Sequence, residues 1–551
     1  MTDDATAATE PAPAHSRAAA SEAADQNPTN PRRWIGLLFI SLAVSLVIVD
    51  STIVNVAVPS IVRDLQITST EIQWVQEAYT LVFAALLMVF GALADRFGRR
   101  RMLTIGLTLF TLSSIAAGMA ESGELLILSR IVQGIGGAMV LPTTLSLVNA
   151  EFRGKERGIA FAIWGSTIGG MVAVGPLLGG WLATDFSWRW AFGINIPLGI
   201  IIIAGLYWAV TESRDTLGRG RIDWVGAALS VVTSASLVYG LIEGRTYGWW
   251  LVNKPFSVGD WTWPFDISVV PVAFAVSLAS LVAYITHGLA RQRAGKNTLI
   301  AFSLFAIPSF RNGNIVATVV SMGEFGIILA LPLWLQFVKG LNPFESGLII
   351  VSLAVGSFVA SGAAGALGQR VTNGSVIVQI GLALEIIGVV GMGFTITPEG
   401  EPAALIPWMF VYGMGVGFAT AQLTGVIMRD VPVEQSGQGS GTQSTSRQVG
   451  SALGIAIIGT VLFTTAQLSL ESSLKDTPLP AELQTQLVAI VIDSAGGAIE
   501  EFDKDPANAN FVADSRAAIS AGASAAGFTA AGFLGLGLLS SLSLGSRRTR
   551  Q

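Results

Sequence analysis

"GALADR" (residues 91–96) and "GALGQR" (residues 365–370) stand 274 positions apart in this chain. A second pair, "QGIGGA" (133–138) and "YGMGVG" (412–417), is 279 apart, with Gly134 and Gly136 aligned to Gly413 and Gly415. The two pairs keep the same order and nearly the same offset. The chain therefore reads as a duplicated unit, with a small insertion or deletion between the copies.

The surroundings of these motifs are apolar. Of 551 residues, 51% are hydrophobic and 13% charged, with a mean hydropathy of +0.61; soluble domains carry about 25% charged residues. Apolar runs recur at 34–59, 73–94, 102–120, 123–149, 157–183, 188–210, 223–243, 266–289, 313–337, 345–368, 375–397, 403–427, 437–465 and 517–542. About 20 residues cross a bilayer core, so these runs predict fourteen transmembrane helices in an all-α membrane protein. The members of each repeated pair lie eight runs apart. An even separation gives the copies the same direction, and parallel halves about an axis along the membrane normal are a transporter architecture.

The expected organisation is 6+2+6. A disordered tail (1–33) precedes a six-helix half (34–211), and an inserted pair of helices with a connection occupies 212–311. A second six-helix half (312–543) contains an outer loop at 466–516, and a short tail (544–551) ends the chain. The first run lacks the cationic start and cleavage site of a signal peptide. With the N-terminus inside, inner flanks carry 21 Lys and Arg from Arg32 onward and outer connections carry 8. This bias places both termini in the cytoplasm. The tryptophan-rich stretch 247–265 reads as an interfacial anchor.

Composition also excludes. The chain has no cysteine and two histidines, His15 and His287, far apart. Thiolate chemistry, a His-based metal site and a His triad are therefore not expected, nor is a cofactor, and no nucleic-acid motif appears. There is no G-x-x-x-x-G-K-[ST] phosphate loop to harness ATP. A membrane enzyme would need a catalytic constellation that is missing, and a sensor would carry an appended soluble domain.

Asp50, within "SLVIVDSTIVNVAVPSI" (45–61), is a carboxylate in a lipid-length run, costing about 2.5–3.5 kcal/mol unless compensated. It lies about 24 Å along the helix from Trp34, toward the outer half. Glu77, Arg130, Glu324, Glu385 and Arg447 are likewise embedded. Each could be a structural ion pair or a functional group; embedded ionisable residues are functional by default. Arg130 could hold a carboxylate while packing its helix. "GPLLGG" (175–180) places Gly175 and Gly179 on one face for a close helix approach, with Pro176 inviting a bend. A packed interface and a hinge both fit. In "GALADRFGRRRM" (91–102), the basic flank explains the arginines but not Asp95, which needs a partner at an unfavourable helix end.

The sequence resembles the major facilitator superfamily, whose helix 2–3 loop matches Gly91, Leu93, Ala94, Asp95, Arg96, Gly98, Arg99 and Arg100. Within that family, "VDSTIVNVAVP" (49–59), "LSRIVQGIGGA" (128–138), "GPLLGG" and "SWRWAFGINIPLG" (187–199) resemble the fourteen-helix drug:proton antiporters. Met171, Glu77 and Gln369 depart from the usual pattern. The resemblance implies a cytoplasmic latch (Gly91, Asp95, Arg96, Gly98, Arg99, Arg100) that joins the halves in the outward-facing state. It also implies an antiporter motif (Gly175, Pro176, Gly179, Gly180).

With no ATP site, an ion gradient is the remaining energy source, and buried carboxyls suit protons. The expectation is a proton-coupled antiporter of the plasma membrane, acting as a monomer and exporting amphipathic or cationic compounds. Asp50, Glu324 and Arg130 are the expected coupling residues; Glu324, Glu385, Glu77 and Gln133 are expected around the substrate. Export of an endogenous metabolite (a lipid, siderophore or amino acid) by the same fold is the alternative.

Overall fold

A computed structural model describes residues 31–152, 154–214, 223–258, 261–296, 298–299, 302–368, 374–431, 436–475 and 477–544. Both expected terminal tails lie largely outside this range. The first six long helices are α1 (Arg33–Leu65), α2 (Ser69–Phe97), α3 (Arg99–Gly118), α4 (Gly123–Glu151), α5 (Gly154–Asp185) and α6 (Asn195–Ala209). Next come α7 (Trp224–Tyr247) and α8 (Val269–Arg293), then α9 (Pro308–Leu333), α10 (Pro343–Gly368), α11 (Gly374–Thr395), α12 (Leu405–Met428) and α13 (Ser436–Leu474). A shorter α14 (Ala481–Asp493) precedes α15 (Ala509–Ser541). Among the described residues, twelve of the segments are long and apolar enough to cross a membrane. Helices α2 and α5, 29 and 32 residues long, pack among them. The protein is a multi-pass membrane protein.

Polar residues at the predicted punctuation points set the helix ends. Thr68 and Glu71 form a capping box that starts α2. Ser122 caps α4, Asp223 caps α7 and Ser268 caps α8. Each satisfies backbone donors that a helix start leaves unpaired.

The duplicated glycines occupy equivalent packing positions. Gly134 of α4 abuts Tyr79 of α2, and its counterpart Gly413 of α12 abuts Leu353 of α10. Gly136 meets Gly106 and Phe110 of α3, whereas Gly415 meets Gly381 and Glu385 of α11. The two glycines of each pair thus let α4 and α12 approach counterpart helices, α2 and α3 in one half and α10 and α11 in the other. A Cβ at any of these four glycines would fall within 3 Å of the neighbouring helix.

The halves meet along two symmetry-related seams: α2 packs on α13, and α5 packs on α10. The polar contacts between the halves lie toward the end of the bundle opposite Gly98. Gln336 donates to the Val56 carbonyl at 3.0 Å, from a π-helical turn (Trp334–Val338) that follows Pro332. The Phe344 amide donates to Thr184 Oγ1 at 3.0 Å. Arg63 pairs with Glu500 at 2.7 Å. Helices α7 and α8 pack on each other, and α7 also contacts α2 and α13.

Two connections carry more structure than expected. Residues 466–516, read as a loop, are mostly helical: α13 runs to Leu474, α14 follows, and α15 begins at Ala509. The reason is apolar burial, since Val488, Val491 and Ile492 of α14 enter the main core. The tryptophan-rich stretch contains a two-stranded antiparallel ribbon, Ser257–Val258 with Trp261–Thr262, with Trp250 and Trp261 exposed.

Candidate functional site

Asp50 lies at the centre of a polar hub built by the first half. Its Oδ2 accepts from Arg130 Nη1 at 2.7 Å. Its Oδ1 accepts from Gln133 Nε2 and from Asn195 Nδ2, both at 2.7 Å. Both amides also donate to Ser114 Oγ, at 2.9 and 3.1 Å. Arg130 Nε donates to the Val75 carbonyl at 3.2 Å, and the guanidinium lies 4.2 Å from the Tyr79 ring centroid. Five helices therefore converge on one carboxylate, and Asp50, Gln133 and Ser114 are fully buried.

Local sequence explains the convergence. Arg130 and Gln133 are three apart on α4 and share a face. Ser114 sits one turn from the end of α3, and Asn195 is the first residue of α6. The hub is therefore nearer the end of the bundle opposite Gly98. Sequence reading found Asp50, Arg130 and Gln133. It missed Asn195 and Ser114; the available signal for Asn195 was an amide two residues before Pro197 inside the quoted 187–199 stretch.

The second half holds a different arrangement. Glu324 on α9 faces Arg447 on α13, with Oε2 and Nη2 3.4 Å apart, and its other carboxylate oxygen has no hydrogen-bond partner. The Tyr412 hydroxyl donates to the Glu324 backbone carbonyl at 3.2 Å. Glu385 on α11 is fully buried and neither of its oxygens has a hydrogen-bond partner. It lies close enough to Glu324 and Arg447 to feel both charges. The structure thus brings Glu324 and Glu385 together around one arginine. Glu77 is elsewhere, on α2 against α13.

At the turn between α2 and α3, Gly98 has φ +116°. The following amides of Arg100 and Arg101 donate to Glu212, at 3.0 and 3.1 Å. Arg99 N–H reaches the Ser213 carbonyl at 3.0 Å, and Arg100 Nη1 donates to the Val210 carbonyl at 3.0 Å. Arg96 lies over Phe97, and Gly91 contacts Pro142. These acceptors are Val210, at the end of the first half, and Glu212 and Ser213, at the start of the inserted segment; none comes from the second half, and Glu212 was not foreseen. An anion there is favoured by the positive end of α3. The Asp95 side chain lies outside the described residues.

The helix 5 motif divides its glycines between two neighbours. A Cβ on Gly175 would fall 1.8 Å from Thr52 Oγ1, and one on Gly179 would fall 2.7 Å from the Ile53 carbonyl oxygen, both on α1. A Cβ on Gly180 would instead fall 2.6 Å from the Pro343 carbonyl oxygen of the second half, and one on Gly347 of α10 would fall 2.5 Å from the Pro176 carbonyl oxygen. The motif packs its own half and also forms the α5–α10 seam.

The model of the Major Facilitator Superfamily matches residues 40–455. Over 85% of this chain and 82% of the relative, it is 32% identical to the "Multidrug resistance protein Stp" of Mycobacterium tuberculosis (strain ATCC 25618 / H37Rv). It is 31% identical to the "Multidrug efflux pump LfrA" of Mycolicibacterium smegmatis, over 90% and 92% of the two chains. It is 32% identical to the "Probable actinorhodin transporter" of Streptomyces coelicolor, over 79% and 73%. A solved bacterial homologue of the human lysosomal transporter Spinster, inward-facing and unoccupied, shares the fold with a TM-score of 0.61 at 17% identity. That match covers 95% of this chain and 99% of the other. With the duplicated glycines in equivalent packing positions and the family model running from the first helix into the second half, the chain belongs to the Major Facilitator Superfamily.

Proposed function

We propose that this protein is a proton-driven exporter of hydrophobic or cationic small molecules, of the multidrug efflux type, rather than an enzyme. The observation that carries the reading is a pair of carboxyls, Glu324 and Glu385, buried between helices with a single arginine at 3.4 Å from one of them. Such a site gains from a cationic guest or from a proton, because either relieves an unsatisfied buried carboxylate. The relatives named for multidrug resistance support the substrate class.

Asp50 is the proposed coupling acid. As a carboxylate it accepts from three side chains and neutralises Arg130; a proton on Asp50 would remove the charge that holds Arg130 in place. Proton uptake from outside would loosen the hub and release the guest, and proton loss to the cytoplasm would restore the pair. Mutual exclusion of proton and substrate is a negative, reciprocal coupling. An entering proton supplies about 2.3 kcal/mol per 100 mV of membrane potential. The contacts across the halves, gathered at the end opposite Gly98, match a bundle closed on the outer side. The chain would sit in the plasma membrane with both termini cytoplasmic, working as a monomer, with the latch engaging in the opposite state.

The test is transport by purified protein in liposomes under an imposed proton gradient. Wild type extrudes a lipophilic cationic dye, and Asp50→Asn lowers the rate at least tenfold. Undiminished gradient-driven export by Asp50→Asn removes Asp50 from coupling. A second reading, export of an endogenous metabolite, draws support from the relative named as an actinorhodin transporter. A compound retained inside a deletion strain would favour it.

A further inference from the structure

One buried acid belongs to neither centre. Glu77 lies on the third turn of α2, fully buried, and neither of its carboxylate oxygens has a hydrogen-bond partner. Its carboxyl faces the backbone of Ala456 on α13. One turn before it, Gln73 is also fully buried with both amide atoms unpartnered, against Gly459 of α13. One turn after it, Leu81 packs with Ala452 and Ala456. Residues 73, 77 and 81 therefore form one stripe of α2, pressed on the small residues of α13 across the seam between the halves.

Among the described residues, no cation pairs with Glu77. The ionisable groups on the elements packed against this part of α2 each have another partner. Arg130 on α4 holds Asp50. Glu243 on α7 accepts from the Trp74 indole at 2.9 Å. Arg245 lies over Phe463 and faces Asp493 of α14. Arg447 on α13 faces Glu324. Arginines 99–101 of α3 are at the far end of the bundle. An ionised carboxylate sealed in such a seam with no cation and no side-chain donor, facing only the Ala456 backbone, is strongly disfavoured, whereas the neutral acid is tolerated. The same seam must part for the bundle to open at this end, and parting would expose Glu77 and Gln73 to water.

We propose that Glu77 is a second proton-binding site, which couples proton uptake to closure of the α2–α13 seam. Protonated, it is buried and the seam closes; ionised, it requires water and holds the seam open. The proposal rests on proton-driven exchange but assigns a separate acid to a separate step, gate closure. The unpartnered amide of Gln73 would take water in the same open state.

The absence of native cysteine makes a clean test possible. Glu121→Cys, in the turn before α4, and Ser472→Cys, in the last turn of α13, are exposed positions in opposite halves at the seam end. Both are spin-labelled in the full chain, reconstituted in lipid nanodiscs, and their separation is followed by double electron–electron resonance from pH 5 to pH 9. The short distance dominates at low pH, and the long one grows as pH rises, by up to about tenfold per pH unit for one proton. Glu77→Gln keeps the short distance throughout. Ala456→Ser, which offers the closed carboxylate a hydroxyl donor, flattens the pH dependence and serves if Glu77→Gln fails to fold. The proposal is overturned if Glu77→Gln titrates like wild type, if Ala456→Ser leaves the slope unchanged, or if wild type shows no pH dependence. Asp50→Asn separates the two readings. The distance shift persists there whatever happens to transport, and its loss in Asp50→Asn but not in Glu77→Gln sinks the Glu77 site.

Discussion

The Asp50 hub and the Glu324–Glu385 centre sit in counterpart halves of a duplicated bundle, yet they are built on opposite principles. Asp50 is saturated: three side chains donate to it, and its arginine also bonds a backbone carbonyl and lies over a ring. Glu385 is bare, and Glu324 has only a 3.4 Å contact to Arg447. A satisfied buried ion pair fixes geometry, because removing one partner strands the other. A bare buried carboxyl fixes little and is available to a guest. On the proposed function, the duplication separates two tasks: one half holds a switchable lock and the other reads the charge of a guest.

Mutations can break this contrast directly. The largest effect is expected from Arg130→Met, which leaves Asp50 buried without its cation. Stripping one partner from a buried pair costs about 3–5 kcal/mol, so thermal unfolding in detergent should drop sharply and transport should vanish. Adding Asp50→Asn should recover most of the stability but not the transport. If Arg130→Met alone unfolds at the wild-type temperature, the hub is not a lock. Glu385→Gln sharpens the other side. No hydrogen bond is lost, so any destabilisation should not exceed the about 1 kcal/mol typical of point substitutions. Export of a lipophilic cation should nevertheless fall about tenfold, equivalent to about 1.4 kcal/mol, with a neutral compound little affected. Equal loss for both compounds would show that Glu385 does not read charge.

The sequence showed much of this fold, three residues of the Asp50 hub and the charged members of the second centre. Apolar length and polar punctuation are local properties, so the long helices were legible. The repeat was legible because its close approaches require glycine, and Gly134, Gly136, Gly413 and Gly415 keep that requirement in register. Asp50, Arg130, Glu324 and Glu385 stood out because charge is rare in such runs. Asn195 and Ser114 did not, since a lone amide or hydroxyl in an apolar run is common and only the packing of α3 and α6 aims both at Asp50. The α14 helix was hidden because its apolar face is short and interrupted by polar residues. Glu212 was invisible for another reason: its role depends on a helix start more than 110 residues away.

That helix start is expected to affect stability rather than export, and it tests whether the turn at Gly98 is held by the residues that follow α6. A Cβ at residue 98 would lie 2.7–3.0 Å from the Glu212 carboxylate, and the φ of +116° is unfavourable for any other residue. Gly98→Ala should therefore lose about 1–2 kcal/mol from backbone strain alone and disturb the cap as well. Glu212→Gln keeps the shape but weakens the anion at the start of α3, costing about 0.5–1 kcal/mol. Because the two residues share one contact, their effects should be less than additive in a double-mutant cycle read by thermal unfolding. Strict additivity would mean that Glu212 does not hold this turn, leaving the basic residues 99–101 to be positioned by another group.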